Sequence, residues 1–377
     1  MFIWSVARPR LDWDMLAYVA IAYEWSGEPD PHAATYRDAA SYAVVHGMTS
    51  HDLLTGFNGF RDTVYTDPGA FAEQLPFYRI KLLYVAAVWI GSHLSATYSA
   101  AAVWVSAISI LLASALVLWF CAQWIGPVSG SIVAAIFALA PSTVQCAGVG
   151  LPDGLGTLLV VAGVVLLYHE RYLPAALVLL AAILARPEIR LFDACLALAL
   201  LWHRKVARRR GFWPAIAVLL SALTIGGAVD WLVGSYGYAV LYHYTFLEVF
   251  TPHPAALVGL GIPPLSWVRQ VFVGAGHALA SGFLWSILAP LGVIAMLLPS
   301  RPIRPVVPVL LAVGSSIGIR MVLFPDAELR FAEPMLGVLI LTAARISAGP
   351  TAMCLSSASY GNSAPALAEA PSRRWSF

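Results

Sequence analysis

The chain has 377 residues, of which 60% are hydrophobic and only 11% charged, and its mean hydropathy is +0.77. Soluble domains carry about 25% charged residues, so an ordinary cytosolic enzyme and a disordered chain are excluded. The formal net charge of +2 supplies no field that would gather a polyanion, which excludes a nucleic-acid binder.

The remaining class is an all-α polytopic integral membrane protein. The four cysteines, Cys121, Cys146, Cys195 and Cys354, lie far apart and form no CxxC pair. They read as buried or tail thiols, not as a disulfide frame or a metal site.

Residues 2–6 (FIWSV) look like the last turns of a membrane helix, and Arg8 and Arg10 follow them. Either a first helix lies upstream of Met1 or this stretch only touches the membrane surface. Residues 11–97 form a large first external loop, with ten acids but three arginines between positions 11 and 80. Its sharpest feature is Asp12-Trp13-Asp14, followed by Tyr18. Asp14 and Tyr18 are four apart and share a face if helical. A carboxylate there is either a general base or the N-cap of a helix running to Glu24.

Pro76 is followed by Arg79 and Lys81, two cations placed for a lipid phosphate. Interfacial snorkelling is the other reading of the pair. The apolar stretch 81–90 is too short to cross and reads as a helix lying in the interface.

Nine crossings follow, at 98–121, 129–147, 154–168, 172–185, 191–202, 212–231, 271–298, 305–324 and 331–346. The pair flanking Arg186-Pro187-Glu188 reads as two helices meeting at a polar tip. Lys and Arg set the orientation. The cluster Arg204, Lys205, Arg208, Arg209 and Arg210 is placed in the cytoplasm, and Arg171, Arg301, Arg304 and Arg345 fall on the same side. The first loop then faces outward. Residues 348–377, rich in Ala, Ser, Gly and Pro, read as a disordered cytoplasmic tail, leaving 1–347 as the membrane domain.

Ionisable groups beside membrane helices are costly and commonly functional. Asp153, Arg186, Glu188, Arg190, Asp193, Asp230, Arg320, Asp326, Glu328, Arg330 and Glu333 all fall at or near outer helix ends in this topology. They predict a polar cavity under the first loop. Helix ends also collect charge near lipid headgroups, which is the alternative explanation of the set. Asp153 either caps its helix or lines the cavity. Arg330 either pairs with Glu333 or Asp326 or holds a pyrophosphate. The outer loop 234–266 carries His243, Glu248, His253 and aromatics suited to sugar stacking or to the interface. The histidines have no metal-ligand spacing.

This arrangement resembles the GT-C glycosyltransferases, polytopic enzymes that use polyprenyl-phosphate sugars on the outer or lumenal face. Asp14-Met-Leu-Ala-Tyr18 is similar to the family's first-loop Asp with a Tyr one turn on. Pro76, Arg79 and Lys81 match its basic residue near a proline, and Asp153 its second external acid. Arg186-Pro187 resembles its broken helix pair, and Arg330 with Pro334 its late arginine. The resemblance covers residues 11 to about 345.

It implies an inverting membrane glycosyltransferase at the periplasmic face of the plasma membrane. Asp14 would be the general base, with Asp12 or Asp153 orienting the acceptor or holding a divalent ion. Tyr18, Arg79, Lys81, Asp153, Arg186, Glu188 and Arg330 would bind substrates. The donor would be a polyprenyl-phosphate-linked sugar and the acceptor a glycan or lipid, with no cofactor. A monophosphate donor facing two cations needs little help from a metal. The competing class is a transporter or lipid flippase; a non-catalytic membrane scaffold is a third.

Overall fold

The structure is a computed structural model. It describes residues 7–49, 59–95, 97–202, 212–281, 306–326 and 328–347, with the single positions 283, 287 and 290. Residues 2–6, the basic cluster 204–210, Arg301, Arg304, the far part of the 271–298 stretch and the tail 348–377 lie outside the described residues.

Among the described residues the secondary structure is helical, with no strand; an isolated bridge joins Arg10 to Val149. The first layer contains α1 (Trp13–Trp25), α2 (Pro31–Val45), α3 (Phe60–Thr66), α4 (Pro68–Gln74), α5 (Pro76–Arg79) and α6 (Leu82–Ser92). A bundle follows: α7 (Tyr98–Ile125), α8 (Pro127–Leu139), α9 (Pro141–Gly148), α10 (Asp153–Tyr168), α11 (Tyr172–Ala185), α12 (Arg190–Trp202) and α13 (Phe212–Leu232). Beyond it come α14 (Gly237–Tyr242), α15 (Pro264–Ala280), α16 (Val306–Leu323) and α17 (Glu333–Ser347).

Among the described residues three helices are long and apolar enough to cross a membrane: α7, α13 and α16. The pair α8 and α9, bent by 59°, makes a fourth if taken as one span. The bend has a local cause. Ala140 precedes Pro141 and is therefore driven to an extended conformation, with ψ at 139°. The Thr143 hydroxyl donates to the Phe137 carbonyl at 2.6 Å and satisfies a group freed by the break.

The other expected crossings are shorter. Helix α10 has 16 residues, α11 has 14, α12 has 13 and α17 has 15. At 1.5 Å per residue these reach about 20–24 Å, less than the roughly 30 Å of a hydrocarbon core. Helices α7, α8 and α13 keep exposed faces of Leu, Ile and Val, among them Leu112, Ile132, Ile136 and Leu223. Water penalises such faces and lipid accepts them. Helix α6 has 11 residues, too few to cross.

Close approach holds the bundle together. A Cβ on Gly130 of α8 would stand 2.5 Å from the backbone nitrogen of Ala122 on α7. One on Gly154 of α10 would meet the Ser106 carbonyl of α7 at 2.7 Å. Small residues at such crossings let backbones touch, which replaces the hydrophobic drive lost in lipid. At one end Trp119 lies tilted and Phe120 edge-on against His169, Tyr168 bonds Thr342, and the Arg345 guanidinium lies 3.6 Å from the Trp124 ring centroid.

The first layer covers the opposite end. Tyr84 donates to the Ala102 carbonyl at 3.2 Å, and Asp38 accepts the backbone N–H groups of Tyr98 and Ser99, capping α7 from another helix. Helix α1 runs through the middle of this layer, with Met15 to Ala22 buried on every side. A helix apolar all round belongs in a core, not at a surface.

Candidate functional site: a polar cavity at one end of the bundle

The cavity has a volume of about 340 Å³ and lies between the first layer and the helix ends of the bundle. Asp12, Asp14 and Tyr18 enter it from α1, and Lys81 from the junction of α5 and α6. Asp153 comes from the start of α10, and Arg186 and Glu188 from the turn between α11 and α12. Arg330 comes from the 3-10 turn Leu329–Ala332. Eight of the nine residues singled out in the sequence thus line one space.

Arg79 is the exception. It ends α5 and pairs with Glu24 at 2.7 Å, and it does not line the cavity. Residues two apart at a helix end do not face the same way, so the two cations of this motif diverge.

Asp12 and Asp14 have separate roles in the fold. Asp12 is the N-cap of α1: its Oδ1 accepts the Asp14 backbone N–H at 2.9 Å. Asp14 lies inside the first turn, where its carboxylate is free to face the cavity. The Tyr78 hydroxyl donates to Asp14 Oδ1 at 2.7 Å, while Arg330 Nη2 stands 3.8 Å from Oδ2. Burial, and then the Asp14 charge, raises the pKa of Asp12 above its ordinary value; Arg330 opposes them.

Arg330 sits between three acids. Its Nε pairs with Glu328, and Nη1 stands 3.9 Å from Asp12. Burial works against its charge, yet Glu328, Asp14 and Asp12 hold its pKa above the ordinary arginine value. The sequence offered Glu333 or Asp326 as its partner. Instead Glu333 turns into the bundle and lies 2.5 Å from the Thr143 hydroxyl, while the Asp326 carboxylate accepts the Glu328 backbone N–H at 3.3 Å. The 3-10 turn before α17 is what separates Arg330 from Glu333.

Arg186 precedes Pro187 and is accordingly extended, with φ −154° and ψ 99°. That conformation ends α11 and turns the guanidinium onto Asp153, with which it forms a buried ion pair. Asp153 is the first residue of α10, after the N-cap Pro152, and its carboxylate is taken up in this pair. Glu188 Oε2 lies 3.5 Å from Arg186 Nε on the cavity side. Burial raises the Glu188 pKa, but Arg186 and Lys81 outweigh it and bring the carboxyl down to about 2.

Lys81 differs from both arginines. Its ammonium donates to the Tyr18 hydroxyl at 2.6 Å and lies 5.2 Å from the ring centroids of both Tyr18 and Tyr78. Among the described residues it makes no ion pair with a carboxylate. Burial lowers its pKa, and the charges of Glu188 and Asp14 oppose that shift. An anion placed beside it would favour the protonated form.

Sequence reading missed the aromatic wall. Trp13 packs edge-on against Phe60 and Tyr78, and Tyr244 packs edge-on against Phe250 and tilted against Phe77. Tyr244 arrives on the π-helical turn His243–Leu247. The following segment is fixed to α4: Gln74 donates to the Pro252 carbonyl at 2.8 Å, and Glu73 accepts from His253 and the Ala255 N–H. The aromatic enrichment of residues 234–266 was the available signal, but contacts spanning well over 150 positions were not readable from it.

Among the described residues no group of three or more His, Cys, Asp or Glu side chains is placed to hold a metal ion. The cavity therefore combines a carboxylate with one oxygen fixed, a lysine without an acidic partner, two paired arginines and an aromatic wall. No protein-family profile, curated protein or solved structure matches the chain.

Proposed function

We propose that the chain is a membrane glycosyltransferase that moves a sugar from a polyprenyl-phosphate donor to a hydroxyl of a lipid-linked or glycan acceptor. The observation that carries this reading is the meeting of Asp14, Lys81, Arg186 and Arg330 in one cavity beside an aromatic wall. In this reading that end of the bundle, under the first loop, lies outside the plasma membrane. Residues 1–347 form the catalytic domain, and membrane lipids supply the donor.

The step is an inverting displacement. The acceptor oxygen bonds to the anomeric carbon and passes its proton to Asp14. The bond from that carbon to the phosphate oxygen breaks, and its electron pair leaves on the polyprenyl phosphate. Lys81 meets the departing charge, with Arg330 and Arg186 behind it. Aromatic faces suit the apolar side of a sugar ring. Transporter sites commonly lie near the membrane midplane, whereas these charges gather at one end, which favours a transferase over a flippase.

The test is consumption of the donor. Purified chain incubated with a lipid extract should deplete a polyprenyl-phosphate-linked sugar and release free polyprenyl phosphate, read by mass spectrometry. Unchanged lipid-linked sugar with intact protein contradicts the proposal.

A further inference from the structure

We infer that Tyr78 is a positioning residue for Asp14, fixing one carboxylate oxygen so that the other is presented to the acceptor. This rests on the proposed reading of Asp14 as base, and it names a residue that the sequence motifs did not.

The geometry is asymmetric. Oδ1 of Asp14 accepts from the Tyr78 hydroxyl at 2.7 Å, while Oδ2 is directed to Arg330 at 3.8 Å, beyond hydrogen-bond reach. One oxygen is thus held and the other left for a ligand. Tyr78 is itself held firmly. It is 7% exposed, and Trp13 and Tyr18 pack edge-on against its ring at 6.4 and 5.3 Å. Burial, and then the Asp14 charge, raises the Tyr78 pKa well above its ordinary value. The phenol therefore stays protonated and remains a donor.

Tyr18, the residue one turn from Asp14, has a different partner. Its hydroxyl accepts from Lys81, and its ring supports Tyr78. Lys81 lies over both rings. The phenol that touches the carboxylate thus belongs to the same aromatic pair that seats the lysine. A ligand anion at Lys81 and an acceptor at Asp14 would be held in one frame, which is what a displacement between two substrates needs.

The test separates this inference from the transferase reading. Full-length chain in detergent is treated with a water-soluble carbodiimide and glycinamide, and modification of Asp14 is followed by mass spectrometry against Asp62 as internal reference. A carboxylate that loses its donor activates more readily, so Tyr78→Phe should raise Asp14 labelling about tenfold, the scale of one hydrogen bond to a charged group. Tyr18→Phe removes a hydroxyl from the same cluster without touching Asp14 and should leave the labelling unchanged. In membranes forming an Asp14-dependent product, Tyr78→Phe should lower kcat about tenfold with KM for the acceptor unchanged.

Unchanged labelling in Tyr78→Phe, or an equal rise in Tyr18→Phe, overturns the inference. A tenfold rise in Tyr78→Phe together with product formation indifferent to Asp14→Asn supports the held carboxylate and overturns the transferase reading instead.

Discussion

Asp153→Ala should destabilise the chain by about 2–4 kcal/mol, and the figure follows from the surroundings of Arg186. The side chains of Arg186 and Asp153 are only 7% and 4% exposed, so water screens their pairing little. Removing one partner of such a buried pair costs about 3–5 kcal/mol, because the other charge is left uncompensated. Glu188 remains 3.5 Å from Arg186 but is 46% exposed, so it offsets about 1 kcal/mol at most. The assay is unfolding of purified chain in mixed micelles, read by circular dichroism. The double variant Asp153→Leu with Arg186→Met, which removes both charges, should recover to within about 1–2 kcal/mol of the wild type. A single variant within about 0.5 kcal/mol of wild type, or a double variant no better than the single, would contradict a stabilising role for the buried pair.

Further outcomes follow from the same contacts. Asp12→Ala removes the cap of α1 and should cost about 1 kcal/mol, largely restored by Asp12→Ser, in the same unfolding assay. Arg79→Ala should cost under about 1 kcal/mol and leave donor turnover unchanged, because its pair with Glu24 is about one-third exposed and outside the cavity. Lys81→Met should weaken donor binding at least tenfold, read as the donor concentration giving half-maximal turnover. Glu188 has a folded pKa of about 2 against an ordinary 4.5. Its contribution to stability is therefore present above pH 4.5 and lost as the pH falls towards 2. Glu188→Gln should flatten the melting-temperature profile in that window, and an unaltered profile would contradict the assignment.

Much of the cavity could be read from the sequence because charge is scarce in this chain. In an apolar bundle each ionisable side chain beside a helix end has few places to go. Asp12, Asp14, Lys81, Asp153, Arg186, Glu188 and Arg330 accordingly meet where the helix ends meet. Arg186 was legible for a further reason: the residue before a proline leaves the helical region, so the chain must turn there.

What stayed hidden is tertiary. Tyr78 and Asp14 are 64 positions apart, and no local pattern pairs them. Asp12 and Arg330 lie at opposite ends of the chain. The divergence of Arg79 from Lys81 depends on where α5 stops, which hydrophobic pattern fixes poorly. Helix length was also less legible than helix presence. The apolar runs read as crossings although several are short for a full span, notably the two flanking Arg186-Pro187-Glu188, and α10, α11, α12 and α17 end near polar residues, short of a full membrane thickness. Buried α1 shows the same ambiguity: its continuous apolar surface suits a protein core as well as lipid.

The most direct measurement is a comparison of glycolipids and glycans from cells expressing the wild-type chain or Asp14→Asn, matched for membrane abundance. A sugar decoration should be present with the wild type and lost with Asp14→Asn, and its mass identifies the sugar. An identical profile at equal abundance contradicts the assignment of Asp14 as the base and, with it, the proposed transfer.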